Sequence, residues 1–298
     1  MIICVASGKG GTGKTTVAVN LALQIARNNA RENGSETWLL DCDVEAPNAA
    51  LFLNPSIETE KDVTRLLPVI DNEKCNACGR CVEVCFSNAL ALVNKQMLFF
   101  RELCHACGAC TLNCPTGAIS ERDEKIGALQ RGHTDGLLFA GGSLDVGFSS
   151  PVPVIRDLKK WAIPPSKADQ TFILDASPGC SCPVVEAIRG ADFVLLVSEP
   201  TPFGPHDLEL VLRLVQYGMR IPCGVVINKS SGEDAIIEDL CQQHAVPVLM
   251  RLPLSRAIAE SYSRGDLLID AFPDYAQRLE TCYERIVQMV AQQKKEAM

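Results

Sequence analysis

Residues 7–16 read SGKGGTGKTT, and residues 75–114 hold eight cysteines in two copies of one spacing. The first pattern, Gly8-Lys9-Gly10-Gly11-Thr12-Gly13-Lys14-Thr15, fits G-x-x-x-x-G-K-[ST]. Its glycines let backbone N–H groups approach phosphate oxygens, Lys14 neutralises β and γ oxygens, and Thr15 offers a hydroxyl to Mg²⁺. Thr16 follows in the first turn of a helix whose positive dipole end faces the same anion. ATP with Mg²⁺ is the expected ligand. Lys9 is the surplus residue, and on motif grammar alone it reads as a solvated surface lysine.

Cys75-x2-Cys78-x2-Cys81-x3-Cys85 and Cys104-x2-Cys107-x2-Cys110-x3-Cys114-Pro115 are two copies of the bacterial ferredoxin run. Three thiolates of one turning loop bind three irons, and the fourth cysteine reaches the other cluster. Two [4Fe-4S] clusters are therefore expected, one on Cys75, Cys78, Cys81 and Cys114, the second on Cys104, Cys107, Cys110 and Cys85. Zinc is the alternative for paired C-x-x-C units, but zinc sites take four ligands and rarely repeat a three-plus-one rhythm with exchange. Phe86 stands after Cys85 where the run usually has proline, which alters a turn and removes no ligand. Fifteen cysteines in a reducing compartment point to metal ligation rather than disulfides. Cys4, Cys42, Cys223 and Cys241 lie in or beside apolar runs and, with Cys282, read as small hydrophobes; His105 reads as an exposed loop residue.

The elements that must position these groups follow from the apolar pattern. IICVAS (2–7) is a strand, and TTVAVNLALQIARN has the spacing of a helix. Later strand candidates are TWLL (37–40), TFILDASPG (171–179), DFVLLVSEP (192–200), CGVVINK (223–229) and VPVLMRLP (246–253). Helices are expected near 183–190, 204–218, 233–244, 255–264 and 273–293. This alternation predicts an α/β fold, a mostly parallel sheet with helices on both faces. Residues 64–122 break it and read as an inserted small α+β ferredoxin-like domain. The ATPase domain is then discontinuous, 1–63 and 123–298, about 240 residues in all.

Asp175 ends its strand where a P-loop protein keeps the acid that holds Mg²⁺, usually through water; the plain alternative is a turn cap. Asp41 and Asp43 end the TWLL strand at the same edge, where one of them could orient an attacking water, or both form a solvated turn. The formal charge of −8 with scattered basic residues argues against a nucleic-acid or anionic-membrane partner. No run of 18 or more apolar residues is present, and Met1 leads straight into a strand and glycine loop, so a cytoplasmic location is expected.

G-K-G-G-T-G-K-T-T, L-D-C-D-x-x-x-x-N, L-D-A-S-P-G and V-I-N-K, in this order, resemble the MinD/Mrp/nitrogenase-iron-protein group of deviant-Walker ATPases. The cysteine insertion after the second strand, with SEPTPFGPHDLELVL and SSPVPVIRDLK, looks like the subgroup that carries an inserted ferredoxin domain. The resemblance implies an ATP-dependent homodimer, or a heterodimer with a close paralogue, in which Lys9 reaches the partner's nucleotide. It also implies Asp43 as the water-positioning acid, Asp41 as a switch residue near Mg²⁺, and Asn228 as an adenine contact. Lys9, Lys14 and Asp43 are thereby the expected catalytic residues. Cys180 and Cys182 fall near the implied dimer axis, Cys182 seven residues past Asp175 as in the nitrogenase iron protein, where a bridging metal or cluster is one reading and plain surface thiols the other. The expected function is ATP hydrolysis that drives a dimer switch coupled to electron transfer to a redox or cofactor-receiving protein. An Mrp-like iron-sulfur or metal-cofactor assembly carrier is the alternative, and a MinD-like spatial regulator the third reading. That third reading calls for a basic amphipathic tail, whereas the stripe Leu279, Ile286 and Val290 predicts a final helix packed on its own domain.

Overall fold

Apolar runs rich in β-branched residues form the centre of a sheet covered on both faces. The computed structural model describes residues 1–31, 34–166 and 170–296. Its strands are β1 (Ile2–Ala6), β2 (Glu36–Asp41), β3 (Ser56–Ile70), β4 (Leu90–Val93), β5 (Gln96–Phe99), β6 (Ile119–Thr134), β7 (Leu137–Leu144), β8 (Gln170–Asp175), β9 (Phe193–Ser198), β10 (Cys223–Ser230) and β11 (Val248–Pro253). Nine of them make one sheet in the order β11-β10-β9-β1-β8-β2-β7-β6-β3. From β11 to β7 the strands run parallel, and β6 and β3 continue the sheet antiparallel.

Each face has its own core. On one, Leu21 and Ile25 of the helix Lys14–Arg31 meet Leu279, Cys282, Ile286 and Val290 of the helix Pro273–Glu296. The stripe of the final helix is thus committed to the core, as its spacing predicts. On the other face Val154, Leu158, Val184, Leu208 and Ile237 close the sheet. Among the described residues no helix is long and apolar enough to cross a membrane.

Three strands escape the apolar pattern. β7, LLFAGGSL, carries two glycines, and β3 and β6 are long and charged, with residues 56–62 of β3 exposed. β3 and β6 form an antiparallel ribbon that runs through positions 64 and 122, with the cysteine runs and the small β4–β5 hairpin at its far end. The register is pinned where Val63 faces Gly127 and Thr64 faces Lys125, which leaves Ile126 as an extra residue. Val63 and Ile126 both bury into the main core, so the bulge fixes which face of the ribbon turns inward. Pro68 is tolerated because β3 is the edge strand.

Glycine lets the helix Val152–Ala162 approach the sheet closely. A Cβ on Gly142 would stand 2.9 Å from Val44 Cγ1 and 3.2 Å from Val154 Cγ1. Gly142→Val should therefore lower stability by about 1–3 kcal/mol, read as a lower denaturant midpoint with an unchanged slope.

Candidate nucleotide site and cysteine cradles

The glycine loop leaves β1 and turns into the helix that begins at Lys14, so its amides gather at one strand end. Gly11 and Gly13 take φ values of +79° and +87°, and a Cβ on Gly13 would lie 2.1 Å from Asn228 Nδ2. Asn228 donates to the Thr12 carbonyl at 2.7 Å, and Lys229 Nζ donates to the Gly11 carbonyl at 2.8 Å. The end of β10 thereby holds the loop in shape without occupying its interior.

Strand order brings the acids to that loop. Val5 and Asp41 are both register partners of Asp175, one from each side. Lys14 Nζ forms a buried ion pair with Asp175 Oδ1, while Asp175 Oδ2 is buried without a hydrogen-bond partner. Asp41 accepts backbone N–H groups from Asp43 at 3.1 Å and from Asn48 and Ala49 at 3.0 Å each. Asp43, Lys9, Lys14, Thr15, Thr16 and Pro178 line one open pocket. The unpartnered Asp175 oxygen and the glycine cradle fit Mg²⁺ and a polyphosphate, with Lys14, Thr15, Asp41 and Asp175 as the groups able to hold them. An adjoining cleft lined by Gly13, Thr16, Asn228, Leu254, Ile258 and Tyr262 has the apolar walls and amide that a base requires.

Lys9 is half-buried and paired rather than free. Its Nζ lies 2.7 Å from Glu199 Oε1 and 3.1 Å from Thr201 Oγ1 of its own chain. Glu199 is held from its other oxygen by Lys229 at 2.8 Å. Burial alone would raise the Glu199 carboxyl, but hydrogen bonds from the two lysines hold it below the usual range. Glu199, Thr201 and Lys229 are site residues that motif reading misses. The signal was an acid directly after the β9 run.

The cysteine runs build two matching cradles. Cys75, Cys78, Cys81 and Cys114 line one cavity; Cys85, Cys104, Cys107 and Cys110 line the other. Ala77 and Gly79 in the first run and Ala106 and Gly108 in the second all have positive φ, a conformation costly for alanine. Cys85 Sγ accepts the Ala89 N–H and Cys114 Sγ the Ala118 N–H, both at 3.2 Å. Burial pushes up the thiols of Cys81, Cys104 and Cys110, so a cation in the cradle would favour their ionised form. Among the described residues no three ligating side chains converge as a single ion requires. Cys180 is exposed on the loop beyond Asp175 and Cys182 is exposed at the start of the helix that follows; among the described residues neither belongs to a group of three or more ligating side chains. Burial pushes Cys4, Cys223 and Cys282 up to about 12 and Cys241 to about 11, as expected of structural thiols.

A strand, glycine loop and helix with acids at neighbouring parallel strand ends define a P-loop nucleotide-binding protein. Residues 3–269 match the CobQ/CobB/MinD/ParA nucleotide binding domain, and the chain belongs to that family. It is 30% identical over 267 residues to the uncharacterized protein MJ0579 of Methanocaldococcus jannaschii, covering 89% of this chain and 90% of that one. Its fold is similar to the septum site-determining protein MinD complexed with Mg-ADP from Pyrococcus horikoshii OT3, with TM-score 0.56 and 18% identity over 96% of this chain and 95% of that one. A shorter match, 47% over 55 residues, joins 18% of this chain to 14% of the iron-sulfur cluster carrier protein of Synechocystis sp..

Burial, with Asp175 beside it, pushes the Asp41 carboxyl up to about 7. In the unfolded chain an aspartate titrates near ~3.9, so between these values the folded chain holds a proton that the unfolded chain has lost. Stability from this group is present at low pH and falls as pH rises through about 7. Denaturant unfolding of nucleotide-free protein should show wild type losing ground to Asp41→Asn across that window, with the difference flat above it.

Proposed function

We propose that this chain is an ATP-hydrolysing dimer switch that times electron transfer through two [4Fe-4S] clusters to a partner protein. The observation that carries this reading is the lining of the two cavities, each by three cysteines of one run and the fourth of the other, on a ribbon continuous with the sheet that ends in the nucleotide loop. The small core around the cradles, Cys81, Leu90, Met97 and Ile119, is too slight to stabilise so short a segment alone, the situation in which bound metal supplies the missing stability. When bound, such clusters supply one-electron couples.

Each residue of the loop has a place in this reading. Amides of Gly8 to Thr16 and the Lys14 ammonium bind the phosphates; Thr15 and Asp175 hold Mg²⁺, the latter through water, with Asp41 beside them. Asp43 lines the pocket next to Lys14 and orients the attacking water. Asn228 stands at the base cleft. Lys9 leaves Glu199 to reach the nucleotide of the partner subunit.

A second reading, an iron-sulfur or metal-cofactor assembly carrier, is favoured by the partial similarity to an iron-sulfur cluster carrier protein and by the exposure of Cys180 and Cys182, which could hold a transferable group. A MinD-like spatial regulator finds less support, because the apolar stripe of the final helix is buried in the domain.

Lys14→Ala should abolish nucleotide binding. Lys9→Ala should still bind ATP but lose hydrolysis and ATP-dependent dimerisation by sedimentation; unchanged turnover would sink the reading of Lys9. Anaerobically purified protein should carry about eight iron per chain and give a reduced [4Fe-4S] EPR signal. Zinc with little iron would overturn electron transfer. If Cys182→Ala keeps the iron and EPR signal of wild type but fails to deliver a cluster to an apo-acceptor, the carrier reading replaces the first.

A further inference from the structure

The helix Val152–Ala162 and the segment leading into it touch both candidate sites through different residues. At its start, Pro153, Phe148 and Ser149 share a cavity with Cys104, His105 and Ala106 of the second cradle. Ser149 Oγ donates to the Glu102 carbonyl at 2.5 Å, and the Arg101 guanidinium lies 4.4 Å from the centre of the Phe148 ring. Arg65 of the ribbon holds the same helix, donating to the Pro153 carbonyl at its start at 3.1 Å and to Asp157 in its middle turn at 3.0 Å. Residues 101 and 102 lead directly into Cys104, so this end of the helix grips the backbone that shapes the cradle.

Arg156 in its middle turn and Lys159 in its last grip the helix Cys182–Ile188. Arg156 makes two parallel hydrogen bonds to the Glu186 carboxylate, both 3.2 Å. Lys159 Nζ donates to the carbonyls of Glu186, Ala187 and Arg189 at 2.8, 2.7 and 2.6 Å, capping carbonyls at the end of that helix that would otherwise lack partners. The Lys159 ammonium is half-buried and its pKa lowered, chiefly by desolvation, and three carbonyls in fixed positions hold it there. The gripped helix begins where the loop from Asp175 ends, and Pro178 of that loop lines the phosphate pocket.

We propose that the helix Val152–Ala162 is a strut that transmits the ligand state of the nucleotide loop to the backbone around Cys104. The inference rests on the nucleotide reading of the loop and on nothing that fills the cradle. Its two states are set by Lys14. Lys14 pairs with Asp175; a bound polyphosphate would compete for Lys14 and free Asp175 for the metal side, changing the charge at the root of the 176–181 loop. A seven-residue helix held at its far end by two cationic side chains moves as a unit with that loop. The strut, packed without spare volume against Gly142 and Gly127, carries the shift rather than absorbing it. Arg156 and Lys159 act as positioning residues.

Hydrogen exchange read by mass spectrometry on the purified full chain, with and without Mg²⁺ and a non-hydrolysable ATP analogue, tests this. Wild type should change exchange in 8–16 and also in 101–108. Arg156→Gln should keep the response in 8–16 and lose that in 101–108, and Arg156→Lys should restore part of it. Ser149→Ala, at the opposite end, should likewise uncouple the two and serves if Arg156→Gln does not fold. A wild-type response in 8–16 with none in 101–108, or a full response in both uncoupling variants, overturns the strut while leaving nucleotide binding intact. No response in either segment overturns the nucleotide reading, and the strut with it.

Discussion

One ammonium between two buried carboxylates governs the nucleotide edge of this molecule. Lys14 pairs with Asp175, yet Asp41, also buried, stands in register beside Asp175. A single cation cannot neutralise both, and water is excluded from solvating the remainder. The fold tolerates this by giving Asp41 three backbone N–H donors and by shifting its protonation toward neutrality. A divalent cation with a polyphosphate would resolve the imbalance from both sides, supplying positive charge to the acids and a new anion to the lysine. The arrangement exists only because β1, β8 and β2 are neighbours in parallel register, which requires the crossover helices that also build the two cores.

That dependence extends into the cysteine module. The ribbon β3–β6 is the far edge of the same sheet, and the bulge at Ile126 ties it to the core that also buries Val154 and Leu158. The module is therefore not a bead on a flexible linker. Its orientation follows from strand pairing, and only the segment beyond Ile70 relies on its own small cluster of apolar side chains.

Local patterns made most of this legible. Period and β-branching locate the buried parallel strands, because a strand covered on both faces reads as an unbroken apolar run. Cysteine spacing locates both cradles, because the fourth cysteine of each run, set off by an x3 gap, lines the cavity of the other run. β3 and β6 stayed hidden because an exposed edge ribbon needs charge along its length to resist further pairing. β7 stayed hidden because Gly141 and Gly142 admit neighbouring side chains at the expense of strand character. The docking of Lys9 on Glu199 joins residues far apart in sequence and has no local signature; only an acid at a strand end, after a serine and before a proline, marks the place.

Glu199 shows how a lysine can be parked without being locked. A carboxylate this deeply buried would strongly resist losing its sole cation, since an unpaired charge would remain in a poorly solvated site. Here Lys229 holds the second oxygen and the Gly11 carbonyl together. When Lys9 departs, Glu199 keeps a counter-ion and the glycine loop keeps its brace from β10. The cost of releasing Lys9 is thereby reduced to exchanging one partner of a doubly held carboxylate. In the proposed dimer, a phosphate oxygen presented by a second subunit would be the competitor for Lys9, whereas water alone offers it less than the pair it already has.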